Sequence, residues 1–447
     1  MSQGSIALSK AGKNFSGTIQ LTGSKSESNR ALILQALSDG KVVVKNLSSA
    51  ADTVTLDGIL NSVGSSEPGV INHESQPGSQ LATQNSKLKT GNSQLVDIGP
   101  AGTAMRFLTA YYATKTPVDT ILTGTERMKQ RPIGILADAL ISLGAKIEYE
   151  ENDGFPPIKL KAGFVQKTNQ VKIKGNISSQ YITALLLIAP TLPEGLELEI
   201  DGELTSRPYV EMTLSLLEQT GIQHRWEGNK IIIANQSFND SAIAVEPDWS
   251  AASYWYSIAA LCDRAEIRLP YLKKYSLQGD SRITEIMANF GITSVFDEDG
   301  VTLVKEDKPL LRKIFDFKDC PDLAQTVIVC CAALGHDATF TGLETLKIKE
   351  TDRVLALQNE LGKMGVKLIE KNLTYKLDCS NRFIPEKITI HTYEDHRMAM
   401  AFAPLALIIN EVEIEDPSVV NKSYPHFWDD LEKAGFEIKS EVVSDKL

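Results

Sequence analysis

Six times along the chain an extended apolar strand runs into a polar turn and then into a helix rich in Ala and Leu. The turns begin at Gly23, Gly99, Gly175, Pro247, Cys320 and Tyr393, so consecutive starts lie 76, 76, 72, 73 and about 73 residues apart. A period of roughly 75 residues is too long for a solenoid repeat and suits a copied supersecondary unit of two helices and a small sheet. Between the starts stand further amphipathic helices, in RPIGILADALISLGAKIEYE, PYVEMTLSLLEQTGIQHRW and RITEIMANFGITSVF, each closed by Gly before a strand. Six such units exceed one hydrophobic core, and the natural division is three and three. We expect an α/β chain with a first three-repeat domain over residues 22–242, and a second over residues 1–21 and 243–447. The stretch 63–94, rich in Ser, Gln, Asn and Gly, breaks the pattern and reads as surface loop and short strand.

The 447 residues carry a formal net charge of −11. That excess of acid argues against a general nucleic-acid or anionic-membrane binder, which needs a surplus of Lys and Arg, and aromatics at 7% offer little base stacking. The longest apolar runs, such as TALLLIAPTL, fall far short of the ~20 residues of a membrane helix. Five cysteines, Cys262, Cys320, Cys330, Cys331 and Cys379, lack metal-ligand spacing and read as reduced, structural residues. MSQGSIALSK has neither the basic nor the apolar segment of a signal peptide, so a cytoplasmic protein is expected.

A helix N-terminus presents unpaired N–H groups and roughly half a positive charge, which favours an anion. Several of the six starts add polar side chains to this: Lys25, Ser26 and Arg30; Gly102, Thr103 and Arg106; Ser178, Ser179 and Gln180; Asp322; His396 and Arg397. Capping accounts for Ser24, Ser178 or Asp248 without any ligand. It does not account for Lys25 and Arg30, which repel the positive end of the dipole unless an anion sits between them. In AGTAMR, Gly102 lets a ligand approach the backbone closely. TERMKQRPIG holds Arg127, Lys129 and Arg131, either a solvated charge run or part of the same site, with Pro132 opening a helix. In KIKETDR, read as helix, Lys349 and Arg353 share a face with Glu350 in reach of both: either a surface ion pair or a proton-transfer carboxylate held among cations.

GSKSESNRAL at 23–32, AGTAMR at 101–106, RPIG at 131–134, SSQ at 178–180, Pro321 with Asp322, KETDR at 349–353 and DHRMAM at 395–400, in this order, closely resemble the 5-enolpyruvylshikimate-3-phosphate synthase family across nearly the whole chain. The resemblance implies a two-domain inverse α/β barrel of six βαβαββ repeats, three per domain, with helix N-termini facing an interdomain cleft. It implies transfer of the enolpyruvyl group of phosphoenolpyruvate to the 5-hydroxyl of shikimate 3-phosphate, with release of phosphate and without metal or organic cofactor. The expected partners are these two small molecules, and the expected state is a monomer.

By the same resemblance, Lys25, Ser26, Arg30, Ser178, Ser179, Gln180, Ser206, Asp322 and Lys349 bind shikimate 3-phosphate, with Arg207 and Tyr209 as further candidates to hold it. Lys25, Gly102, Arg131, Gln180, Arg353, Arg397 and Lys422 bind phosphoenolpyruvate. Glu350 is the candidate for the C3 proton, Asp322 for the hydroxyl proton and Lys25 for the acid near the bridging oxygen. Pro100, Phe107 and Thr345 depart from the commonest family pattern, and Gly102 is the small residue expected of glyphosate-sensitive members. UDP-N-acetylglucosamine enolpyruvyl transferase is the enzymatic rival, but it typically carries a loop cysteine in its first domain, and no cysteine here precedes Cys262. A non-catalytic anion-binding scaffold would have lost Lys25, Asp322 or Glu350, and all three are present.

Overall fold

The computed structural model describes residues 4–64, 89–90, 93–310 and 312–441. The six strand–turn–helix starts are all there, and the helices they open are α1 (Lys25–Leu37), α2 (Gly102–Lys115), α3 (Ser179–Ile188), α4 (Trp249–Leu261), α5 (Ala324–Leu334) and α6 (His396–Phe402). These helices are apolar nearly all round because they are buried nearly all round: all but Ser250 of α4 and all but Leu334 of α5 are buried. The chain forms two compact units, Lys25–Val245 and Met1–Ser24 with Glu246–Leu447. In the first, α1, α2 and α3 pack on one another; in the second, α4, α5 and α6 do the same.

Small sheets cover these helices, and their strands alternate, as in Gln170–Lys174, where Val171 and Ile173 are buried between exposed neighbours. Four of the six helices connect strands that pair in parallel: Ser93–Asp97 with Thr120–Thr123, Gln170–Lys174 with Leu196–Asp201, Ile314–Asp316 with Ala338–Thr341, and Lys387–Ile390 with Glu411–Glu415. At α1 and α4 the partners are exchanged. Asn14–Thr18, which leads into α1, pairs with Arg264–Pro270, the strand after α4. Ser241–Ala244, which leads into α4, pairs with Val42–Lys45, the strand after α1. The N-terminal strand Ser5–Ser9 lies between Glu411–Glu415 and Glu437–Glu441.

Of the stretch 63–94 read as loop and short strand, Lys89–Thr90 pairs with Ser93–Asp97, while residues 65–88 and 91–92 lie outside the described residues. Two helix starts differ from expectation. Pro132 does not open a helix: Ile133 is the cap and the helix runs Gly134–Leu143. KIKETDR is not one helix, because the Asp352 carboxylate accepts from the Leu355 N–H and begins the helix Arg353–Gly362 there, leaving Lys349 and Glu350 on the irregular turn before it. No helix among the described residues is long and apolar enough to cross a membrane, and all five cysteines are buried and free.

Candidate active site

The unit Lys25–Val245 carries one set of the expected residues. Lys25 begins α1, with Nζ 3.5 Å from the carboxylate of buried Asp52. The rest of the opening motif is divided in purpose. Lys25 and Ser26 keep partial exposure, whereas Ser28, Asn29 and Arg30 turn inward. Ser28 accepts from the Ser48 N–H at 2.9 Å, and Asn29 accepts from the Thr53 hydroxyl at 2.9 Å. Arg30, only 2% exposed, donates to Thr213 (2.9 Å), the Ser26 carbonyl (2.7 Å), Thr183 (3.3 Å) and the Tyr209 carbonyl (3.4 Å). Its guanidinium also lies over the rings of Phe107 (5.6 Å) and Tyr209 (5.7 Å). Burial lowers its pKa to about 10, still leaving it charged at neutral pH. Arg30 thus ties the three helices together, and Phe107 is buried within a continuous α2 as one face of that contact.

Gly102 opens α2, and the Arg131 guanidinium lies directly on it: a Cβ built at Gly102 falls 2.5 Å from Arg131 Nη1. Arg106, one turn along, donates to the Gly102 carbonyl at 3.0 Å and to the Pro132 carbonyl at 3.2 Å, so it fixes both sides of this contact. Tyr181 on α3 donates to the same Pro132 carbonyl at 2.6 Å. The basic run 127–131 therefore splits. Lys129 pairs with Glu126 and Glu151, and Arg127 donates to Gln130, while Arg131 alone is placed against Gly102. At the start of α3, Ser178 accepts from the Gln180 N–H, the Gln180 side chain donates to Thr103 at 3.1 Å, and Ser179 is the first helical residue. Ser206 precedes the helix Arg207–Gln219 in a left-handed conformation (φ 56°) that side chains rarely adopt, and makes no side-chain cap. Arg207 turns to Glu211 (2.7 Å) and the Trp226 ring.

The unit containing Glu246–Leu447 carries the second set, gathered around one guanidinium. Arg353 is 2% exposed and meets three carboxylates: Asp395 at 2.6 Å, Glu350 at 2.9 Å and Asp322 at 3.2 Å. Two further cations close the ring, Arg397 at 2.9 Å from Asp322 and Lys422 at 3.1 Å from the other oxygen of Glu350. Arg397 also donates to Tyr254 (3.3 Å), the Asp322 carbonyl (3.3 Å) and Ser250 (3.4 Å). Burial alone would raise the Asp322 pKa, but Arg397, Lys349 and Arg353 outweigh it and hold the carboxyl well below the usual range. Asp322 is therefore ionised at neutral pH. Burial disfavours the charge on Arg353, yet Asp395, Glu350 and Asp322 more than restore it.

Asp395 is the residue that sequence reasoning passed over. Its carboxylate caps α6 through the Arg397 N–H (2.8 Å) while binding Arg353, so one side chain orients both arginines. Its place within DHRMAM, just before an apolar helix, was the available signal. Behind it, fully buried Glu360 accepts from the Tyr393 hydroxyl (2.8 Å) and the His391 N–H (3.2 Å) and pairs with Lys363 (2.7 Å). The helix Arg353–Gly362 thus grips the segment 391–397 at both ends. Between the grips, Tyr393 and Glu394 are both left-handed, at φ 54° and 56°. Buried His396 has Nδ1 3.6 Å from Asp395.

Residues 9–431 match the family described as EPSP synthase (3-phosphoshikimate 1-carboxyvinyltransferase). A 3-phosphoshikimate 1-carboxyvinyltransferase of Bacteroides fragilis strain YCH46 is 45% identical over 435 residues, spanning 97% of this chain and 98% of that protein. A protein of the same name from Escherichia coli O1:K1 / APEC is 34% identical, over 93% of this chain and 95% of its own length. Among solved structures, EPSP synthase from Acinetobacter baumannii shares the fold with a TM-score of 0.74 at 20% identity, covering 98% of this chain and 100% of that one. The enolpyruvyl transferase NikO of Streptomyces tendae does so at 0.70 and 14%, covering 99% and 100%. On the length and identity of these matches, the chain belongs to the EPSP synthase family.

Proposed function

We propose that the chain transfers the enolpyruvyl group of phosphoenolpyruvate to the 5-hydroxyl of shikimate 3-phosphate, giving 5-enolpyruvylshikimate 3-phosphate and phosphate, a step of aromatic amino-acid and chorismate biosynthesis. The observation that carries the reading is the ring of Asp322, Glu350 and Asp395 around Arg353, closed by Arg397 and Lys422. It combines carboxylates able to move protons with cations able to hold an anion.

In this reading the hydroxyl oxygen attacks C2 of phosphoenolpyruvate while C3 gains a proton, forming a tetrahedral ketal phosphate. Loss of phosphate and of a C3 proton then forms the product. Glu350 gives and later removes the C3 proton, Asp322 takes the hydroxyl proton, and Lys25 is the acid near the bridging oxygen. Arg353, Arg397 and Lys422 serve phosphoenolpyruvate in one unit, and Lys25, Gly102, Arg131 and Gln180 serve it in the other. Ser26, Arg30, Ser178, Ser179, Gln180, Ser206, Asp322 and Lys349 serve shikimate 3-phosphate, Arg30 by holding the start of α1 from below.

Asp322 as it stands is too well paired to be a strong base. Anionic phosphoenolpyruvate competes for Arg353 and Arg397, and each ion pair it takes over releases Asp322 toward the ordinary carboxylate range. The base is thereby strengthened when the electrophile is bound. We take the enzyme to be a cytoplasmic monomer; five buried thiols suit a reducing compartment.

The test is phosphate release from phosphoenolpyruvate with shikimate 3-phosphate, with UDP-N-acetylglucosamine as a parallel acceptor and EDTA as a control. Release with shikimate 3-phosphate alone, unaffected by EDTA, is expected. Release with the nucleotide sugar, or none from folded protein, overturns the assignment.

A further inference from the structure

Arg397 is shared between two acids. One is Asp322, which it binds directly. The other is Asp280, reached through Ser250: Arg397 donates to the Ser250 hydroxyl at 3.4 Å, and that hydroxyl donates to Asp280 Oδ2. Asp280 lies on the short turn Gly279–Arg282, is 3% exposed, and its second oxygen, Oδ1, is buried with no hydrogen-bond partner. An ionised carboxylate so placed would leave a charged oxygen without a protein donor and closed off from bulk solvent, whereas the neutral acid carries its proton on that oxygen.

We propose that Asp280 is a positioning residue of the reaction: as a neutral carboxyl behind Ser250 it leaves the charge of Arg397 to Asp322 and to the incoming anion, and its ionisation draws that charge away. The inference rests on the assignment of Arg397 to phosphoenolpyruvate. The surroundings agree with it. Burial first, then the negative charge of Asp322, push the Asp280 carboxyl up to about 7, with Asp248 at the start of α4 adding to the rise and Arg397 and Ser250 opposing it. The Cys320 thiol is also near and is held neutral by its burial, and Arg282 stands on the same turn as Asp280.

Asp280→Asn keeps the shape of the neutral acid and cannot ionise. The KM for phosphoenolpyruvate of wild type, divided by that of Asp280→Asn, is expected to rise about three- to tenfold from about pH 6 to about pH 8.5, with a smaller change in the kcat ratio. Using a ratio cancels the titration of the substrate itself. Inorganic phosphate, titrated calorimetrically over the same range, reports the same coupling without turnover, so a failure of the reaction assignment is told apart from a failure of this proposal. Stability gives a third readout. The folded pKa lies above the unfolded one, so wild-type stability is fully present below the ordinary carboxylate range and is lost as pH rises through about 7, a decline that Asp280→Asn lacks. Ser250→Ala, which keeps the acid and removes the link, should retain that decline and flatten the KM ratio. Parallel KM and phosphate-affinity profiles for wild type and Asp280→Asn would overturn the proposal.

Discussion

Gly102→Ala is the substitution whose outcome the structure defines most sharply. The added methyl falls 2.5 Å from Arg131 Nη1 and 2.9 Å from both Cζ and Nη2, where ordinary contact begins at 3.4 Å. The guanidinium must retreat by about 1 Å, and a displacement of that size at a binding group costs on the order of 100-fold. Counted as hydrogen bonds, losing one charge-assisted contact to the anion amounts to about 1.5–3 kcal/mol, or roughly 10- to 150-fold in the KM for phosphoenolpyruvate. Inhibition by glyphosate, which we place in the same site, should weaken at least in parallel. Folding should not suffer. The clashing atoms end a flexible side chain, Gly102 is not among the left-handed glycines, and Ala in a helix is favoured over Gly by up to about 1 kcal/mol. Steady-state kinetics with each substrate varied, an inhibitor titration and urea unfolding test all three points. A variant with KM and inhibition both within about twofold of wild type would refute the placement of the anion beside Arg131, since even one weakened charged contact exceeds that.

Glu350→Gln and Asp322→Asn should each fold and each lose about 10²–10⁴ in kcat, as expected when a proton-transfer group is removed; near-normal turnover in both would discard the proposed scheme. Because Asp322 is held below its unfolded pKa, its contribution to stability is present above the ordinary carboxylate range and is lost as pH falls through its lowered folded value. Acid unfolding of Asp322→Asn should therefore be less steep below about pH 4 than that of wild type. Glu360→Ala removes the buried partner of Lys363, Tyr393 and His391 and should cost about 3 kcal/mol in urea unfolding, with a fall in kcat although Glu360 touches no proposed substrate group. A loss of stability without any loss of turnover would show that the 391–397 segment needs no such anchor. Ser178→Ala should lose about 1 kcal/mol of capping, measured in the same way.

Much of this architecture is written locally, which is why the sequence alone displays it. A strand, a turn and an apolar helix follow one another within some twenty residues, and copying them six times makes each weak signal reinforce the others. The residue pattern also marked Lys25 and Arg30 as unusual, because cations at a helix start conflict with the ordinary rules for capping. Two helix starts escaped the local pattern: the Asp352 side-chain cap divided KETDR, and Ile133, whose backbone N–H is held by the Gly154 carbonyl at 2.9 Å, rather than Pro132 preceded its helix.

What only the tertiary structure decided are the pairings between distant parts of the chain. Nothing local tells Asn14–Thr18 to pair beyond residue 260, or Ser241–Ala244 to return to Val42–Lys45, since any exposed β-edge of fitting pattern satisfies the same hydrogen bonds. Arg30 illustrates the same division. Its charge and place at a helix start pointed to an anion, and its burial against Thr213, Thr183, Phe107 and Tyr209 gave it a second task as the tie between helices. The roles of Asp395, Glu360 and Asp280 are likewise set by what lies across from them. A carboxylate's chemistry is fixed by its neighbours' charge and by its access to water, and both are properties of the folded chain.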